Sequence, residues 1–225
     1  MTYIISLGGS LIAPSAGIDW KYLKKFRGLI MEQIQKGNKF ILVAGGGAIC
    51  REYQRAAEKV VILSDEDKDW LGIHSTRLNA HLLRTIFFDV ARPEIITNPA
   101  KKIRAQEAII VAAGWKPGRS TDYDAVILAK RYKAKAVINL SNINCVYDKD
   151  PKEYKNARKI EKINWADFRK IVGNKWIPGL NRPFDPIASQ LAEKLKLQVV
   201  IMNGKKLGNF EKCLDSKKFQ GTVIK

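Results

Sequence analysis

A chain of 225 residues that is 46% hydrophobic and 28% charged has enough apolar material for one cored α/β unit, and it is not a disordered polymer. No apolar run approaches the roughly 20 residues that a membrane-spanning helix needs, and three scattered cysteines (Cys50, Cys145, Cys213) give neither a disulfide framework nor a paired-cysteine metal site. The net charge of +18 attracts anions. Its Lys and Arg residues are spread along the chain, which counts against a nucleic-acid groove and leaves phosphorylated small molecules or a simply solvated basic surface.

Met1–Leu7 has no basic leader and runs into a glycine turn. It reads as a buried first strand over Tyr3–Leu7, and the cytoplasm is the expected compartment. Asp19 caps a helix expected to reach about Gln35, with Gly37 as its stop. Phe40–Ala44 is a second buried strand, followed at once by Gly45-Gly46-Gly47 and a helix from Ala48 to about Val61. Ser64 with Asp65, Glu66 and Asp67 predicts the start of a long helix to about Val90. Pro93–Thr97 and Ala108–Ala113 read as strands, Gly114–Ser120 as a loop, Asp122–Tyr132 as a helix and Ala136–Leu140 as a strand. Lys152–Lys162 is the densest basic stretch and reads as a solvated segment. Helices over Trp165–Val172, Pro186–Leu195 and Leu207–Leu214 alternate with strands over Gln198–Met202 and Gly221–Ile224, and Gly173–Pro183 is the most loop-like stretch. Short apolar strands alternating with helices imply a three-layer αβα sandwich with a mostly parallel central sheet.

In such a sheet, ligands bind beyond the carboxyl ends of the strands. Two glycine clusters stand there, Gly8-Gly9 with Ser10, and Gly45-Gly46-Gly47. Glycine lets backbone amides approach phosphate oxygens closely, and a helix start adds partial positive charge. Neither cluster is a Walker A loop or a GxGxxG fingerprint, and either alone also suits a plain chain reversal. Arg51, one turn into the following helix, can reach back to an anion or can simply point into water.

Six segments in order resemble the amino-acid-kinase superfamily, and within it the archaeal-type UMP kinases. Leu7-Gly8-Gly9-Ser10 resembles the first phosphate turn, and Gly45–Arg51 resembles the GGGxxxR element, whose arginine holds the UMP phosphate. Asp69–Ile73 resembles the segment whose aspartate receives the ribose hydroxyls. Gly114–Asp122 resembles the acceptor loop, Ser141–Pro151 the ATP-binding stretch, and Phe184–Ala188 a late aspartate element before a helix. The resemblance implies a single domain over 1–225, with an acceptor-binding N-terminal part and an ATP-binding part from about 135. It implies transfer of the γ-phosphate of ATP to UMP, giving UDP for pyrimidine nucleotide synthesis. Gly8, Gly9, Ser10, Asp122 and Asp185 would be catalytic. Gly46, Gly47, Arg51, Asp69, Gly114, Ser120 and Thr121 would bind UMP, and Ser141, Asn142, Asn144, Tyr147 and Asp150 would bind ATP. Mg²⁺ would be held mainly by ATP phosphates, with no protein cage; His74 and His81 share a helix face without a third ligand. The resemblance also implies a homo-oligomer, usually a hexamer.

The chain departs from the family pattern at four places. Ser6 stands where many members carry a lysine, which Lys116, Lys175 or Arg182 would have to replace. Asn144-Cys145 stands for Asp-Gly, Trp115 for a threonine, and Arg119 for a His or Phe. These departures keep open a different acceptor such as isopentenyl phosphate, although no histidine lies in Ala44–Arg51 to support it, or a non-catalytic nucleotide-binding homologue.

Overall fold

The computed structural model describes residues 1–101, 103–104, 106–151, 153–175 and 182–225. Its elements in chain order are β1 (Thr2–Leu7), α1 (Gly9–Ile12), α2 (Trp20–Gln35), β2 (Lys39–Ala44), α3 (Gly47–Glu58), α4 (Asp65–Ile86), β3 (Ile109–Ala112), α5 (Thr121–Arg131), β4 (Ala136–Ser141), β5 (Val146–Tyr147), β6 (Lys159–Ile160), β7 (Lys162–Ile163), α6 (Trp165–Val172), α7 (Pro186–Lys194), β8 (Val199–Asn203), α8 (Leu207–Leu214) and β9 (Thr222–Ile224). Seven strands form one sheet in the order β3-β2-β1-β4-β8-β9-β7, and β5 pairs with β6 in a separate two-stranded ribbon. The five strands from β3 to β8 are parallel, while β9 runs antiparallel to β8. The expected three-layer αβα sandwich is therefore the fold.

Side-chain alternation along the strands explains the layers, because successive residues point to opposite faces. Tyr3, Ile5, Leu7, Phe40 and Leu42 pack with Phe26, Ile30, Leu83, Phe87 and Phe210 from α2, α4, α8 and the turn after α4. Ile4, Ile41, Val43 and Ile110 pack on the other face with Val126, Leu128, Phe168, Ala188 and Ala192 from α5, α6 and α7. With both faces covered, the strands read as unbroken apolar runs, as buried parallel strands do.

The register places the site. Leu7 lies opposite both Ala44 and Leu140, and Ser141 lies opposite Asn203. The carboxyl ends of β1, β2, β4 and β8 thus finish level, on one edge. The chain leaves β1 toward β2 and β3 and then returns to β4 on the opposite side of β1, so the strand order reverses there.

Five expectations are corrected. Pro93–Thr97 is not a strand: Ala91 and Ile96 make only isolated bridges to β3, and Pro93 has no N–H to give a ladder. The long helix stops at Ile86: the amides of Phe87 and Phe88 donate to the Leu83 and Thr85 carbonyls, and the Ala91 amide donates to the Phe87 carbonyl in the turn that follows. Gly9–Ile12, expected as part of a turn, is one helical turn. The basic stretch from Arg158 to Lys162 contributes the short strands β6 and β7; Lys152 lies outside the described residues, as do residues 176–181 of the loop-like segment. The helix expected from Asp122 begins at Thr121, with Ser120 as its cap.

Candidate active site

The two glycine turns meet backbone to backbone. A Cβ on Gly9 would stand 1.9 Å from the Gly47 nitrogen, and one on Gly45 would stand 2.5 Å from the Gly9 nitrogen. No side chain fits at either position, which is the physical reason for glycine there. Gly47 adds a φ of +75°, and a Cβ on it would also meet the Gly9 and Ala13 carbonyls. Asn79, buried on α4, donates from Nδ2 to the carbonyls of Gly45 (2.8 Å) and Gly46 (3.1 Å) and fixes the second turn.

The Gly8 amide donates to Leu140 at 2.8 Å and so continues the β1–β4 ladder; it is not available to a ligand. The amides of Gly9 and Ser10 open α1, and those of Gly47 and Ala48 open α3, where first-turn N–H groups have no acceptor within the helix. Of these, Ala48 donates to the Ala13 carbonyl at 2.8 Å. Arg51 is exposed in the second turn of α3, and no ion pair among the described residues holds its guanidinium.

Asp122 lies in the first turn of α5, half-buried, at the end of β1 and β4. Its Oδ1 accepts from Ser6 Oγ (2.9 Å) and Asn139 Nδ2 (3.0 Å), and its Oδ2 accepts from the Asp185 amide (3.3 Å). Ser6, where the family has a lysine, is thus a buried hydroxyl turned onto this carboxylate. Asp185 caps α7, its Oδ1 accepting from Ala188 N at 2.6 Å. Desolvation, followed by the neighbouring Asp185 carboxylate, pushes the Asp122 carboxyl up to about 7, against lowering contacts from Ser6 and the Asp185 amide.

The acceptor loop is pinned by side chains. Gly114 N donates to Thr76 Oγ1 (2.8 Å), Gly118 N to Asp69 Oδ2 (2.7 Å), and Trp115 N to Asp124 Oδ2 (3.1 Å). Asp69, expected to face ribose hydroxyls, thus spends one oxygen on the loop. Ser120 caps α5 by accepting from Tyr123 N at 3.2 Å, and Thr121 opens the helix. Arg119 stacks 4.6 Å over the Tyr123 ring, and the Lys116 ammonium sits 4.4 Å over Trp115, which occupies one of the three cations considered as replacements for the family lysine.

Beyond β4, Ser141 Oγ accepts from Ile143 N (3.4 Å), Asn142 is exposed, and Asn144 Oδ1 accepts from Asn203 Nδ2 (3.1 Å). Tyr147 is half-buried on β5. The Asp150 carbonyl accepts from Glu153 and Tyr154 and shapes the turn that follows. Cys145 is buried and does not adopt a positive φ, so a non-glycine residue stands there without the strain that its place in a glycine position suggests.

Sequence reasoning missed Asp124. It is 0% exposed in the first turn of α5, and its Oδ1 has no hydrogen-bond partner among the described residues. Burial pushes its carboxyl up to about 7, opposed by the Trp115 amide and Arg119 and reinforced by Asp122 and Asp185. The available signal was positional: Leu128, one turn on, is also buried, so position 124 faces the core.

Asp122 and Asp124 both hold protons in the folded state that the unfolded chain releases near pH 4. Their contribution to stability is full below that pH and is lost as pH rises through about 7. The melting temperature of Asp124→Asn relative to the unmutated protein is therefore expected to rise between pH 4.5 and pH 8, by about several degrees. Parallel melting curves across that range would remove Asp124 as a titrating group.

A parallel αβα sheet whose switch point gathers two touching glycine turns and a carboxylate pair defines an α/β protein built to hold phosphate groups. The chain belongs to the amino acid kinase family, whose family model matches residues 1–203. Among its relatives is the uridylate kinase of Methanospirillum hungatei, 32% identical over 99% of this chain and 94% of that protein. Another is the uridylate kinase of Methanosarcina barkeri, 34% identical over 96% of this chain and 92% of that protein. The crystal structure of uridylate kinase from Archaeoglobus fulgidus superposes with a TM-score of 0.83 at 29% identity and covers 100% of both chains.

Proposed function

We propose that the chain is a uridylate kinase that transfers the γ-phosphate of ATP to UMP and releases ADP and UDP. The observation that carries this reading is the near full-length match to uridylate kinases in a chain whose two glycine turns touch and whose Asp122 accepts from Ser6 near the end of β1. Phosphoryl transfer asks mainly for positioning and charge neutralisation, which backbone amides and fixed carboxylates supply.

The N-terminal part would hold UMP: Gly46 and Gly47 with Arg51 at its phosphate, and Asp69, Gly114, Ser120 and Thr121 around its nucleoside. The part from about 135 would hold ATP through Ser141, Asn142, Asn144, Tyr147 and Asp150. The Gly9 and Ser10 amides would face the transferring group, with Gly8 shaping the turn.

Asp122 and Asp185 form a close carboxylate pair whose mutual repulsion a cation would relieve, so hard oxygen donors suited to Mg²⁺ are present. When bound, Mg²⁺ would neutralise charge on the ATP phosphates, with Asp122 and Asp185 beside it. No group of three or more metal-binding His, Cys, Asp or Glu side chains exists among the described residues.

No described helix is long and apolar enough to cross a membrane. ATP and UMP are metabolites of the cell interior, so the reading implies the cytoplasm and a place in pyrimidine nucleotide synthesis. A homo-oligomer belongs to the same proposal. Exposed Tyr53, Val60, Val61, Ile62 and Leu78, on α3, α4 and the segment between them, supply an apolar surface for it, and light scattering giving one protomer mass would rule it out.

The test is ADP release with ATP and Mg²⁺ against UMP, CMP, dUMP, AMP and isopentenyl phosphate. Preference for UMP supports the reading. Transfer to another member of the panel, or none to any with ATP still bound, overturns it.

A further inference from the structure

Three amides of the loop from Gly114 to Gly118 are held by side chains of two helices. Thr76 and Asp69 come from α4 and hold the ends of the loop; Asp124 comes from α5 and holds Trp115. Arg77, also on α4, closes the other side of the same residue, its Nη2 donating to the Trp115 carbonyl at 3.3 Å. Trp115 is one of the residues at which this chain departs from its family, and its half-buried ring is capped by Lys116.

Asp124 is an expensive way to hold one amide. A fully buried carboxylate with an unpartnered oxygen opposes folding, and a well-packed apolar residue at 124 would not. The charged groups around it are Arg119 from the loop, Asp122 from its own helix and Asp185 from α7. None of the ion pairs among the described residues includes it, so a salt-bridge role does not account for it.

We propose that Asp124 is a positioning residue for the acceptor: it fixes the Trp115 amide, and through it the loop wall and indole that border the nucleoside. This rests on the acceptor-loop reading given above. Asp124 touches neither reacting atom nor phosphate and acts only through Trp115.

The test compares Asp124→Asn, which keeps an accepting oxygen for Trp115, with Asp124→Leu, which fills the space and removes it. Two readouts are taken: steady-state kinetics with UMP and ATP varied separately, and amide hydrogen exchange of the 114–118 segment, which needs no activity. Asp124→Leu is expected to raise the UMP KM about tenfold, the worth of a hydrogen bond to a positioned group, with kcat and the ATP KM little changed. Its 114–118 amides are expected to exchange faster, while Asp124→Asn keeps both properties within about threefold of the unmutated protein. An unchanged UMP KM and unchanged exchange in Asp124→Leu would overturn the inference, as would an Asp124→Asn variant as impaired as Asp124→Leu. If Asp124→Leu does not fold, lost protection of the loop in Asp124→Asn overturns the inference and retained protection supports it. Failure of the unmutated protein to phosphorylate UMP overturns the acceptor reading instead, and the exchange measurement still decides whether Asp124 holds the loop.

Discussion

Asp122→Asn is expected to cut turnover by about 100-fold or more while leaving the UMP KM within a few-fold, the pattern of a group that matters most in the transition state. Three donors converge on the carboxylate: Ser6 Oγ, Asn139 Nδ2 and the Asp185 amide. An asparagine there turns an NH₂ toward at least one of them and removes the negative charge that faces Asp185 and any bound cation. The fold should survive, because a desolvated carboxylate raised to about 7 is replaced by a neutral group of the same shape. A variant that melts normally and turns over at the unmutated rate would exclude Asp122 from the chemistry.

Arg51→Ala is expected to have the second largest effect, with the opposite kinetic pattern. Its guanidinium is exposed, bound by no ion pair among the described residues, and stands one turn beyond the Gly45–Gly47 turn. A charge-assisted contact to a phosphate contributes about 1.5–3 kcal/mol, so the UMP KM should rise about 10- to 150-fold. Turnover at saturating UMP should fall much less, and Arg51→Lys should recover only part of the loss, since a point charge lacks the guanidinium fork. Measured KM values for UMP, with ATP held saturating, decide the matter; no change would move the acceptor phosphate away from α3.

Much of the fold was legible because its signals are local. β1, β2 and β4 are apolar runs with glycine or serine at their ends, and Asp19 and Ser64 cap their helices by accepting from Tyr22 N and Asp67 N. The miss at Pro93–Thr97 was a matter of composition without partners: Ile95 and Ile96 look like a strand, yet Pro93 lacks the donor that a ladder needs. The placing of Asp122 beside Ser6 was not legible, since 116 positions separate them and only the β1–α5 packing joins them. The same holds for the bond from Gly118 to Asp69, which depends on how α4 lies against the acceptor loop. At Cys145 the family pattern suggested strain that local backbone geometry does not contain.

The place of β9 in the sheet has a consequence for how the protein is assembled. Thr222–Ile224 lies inside the sheet, between β8 and β7, and Thr222 Oγ1 accepts from the Val146 amide at 2.8 Å, reaching the β5–β6 ribbon that carries Tyr147. During synthesis from the N-terminus, β1 through β4 emerge and can pair long before this strand exists. The half proposed to bind UMP can thus become ordered on the ribosome, whereas the half proposed to bind ATP waits for residues 222–224. A chain cut after Gly221 should keep the β3-β2-β1-β4 pairing, seen as slow amide exchange in those strands, and lose protection in 146–147 and 159–163. Equal protection of both regions in that truncated chain would show that the nascent protein needs no late strand to finish its nucleotide side.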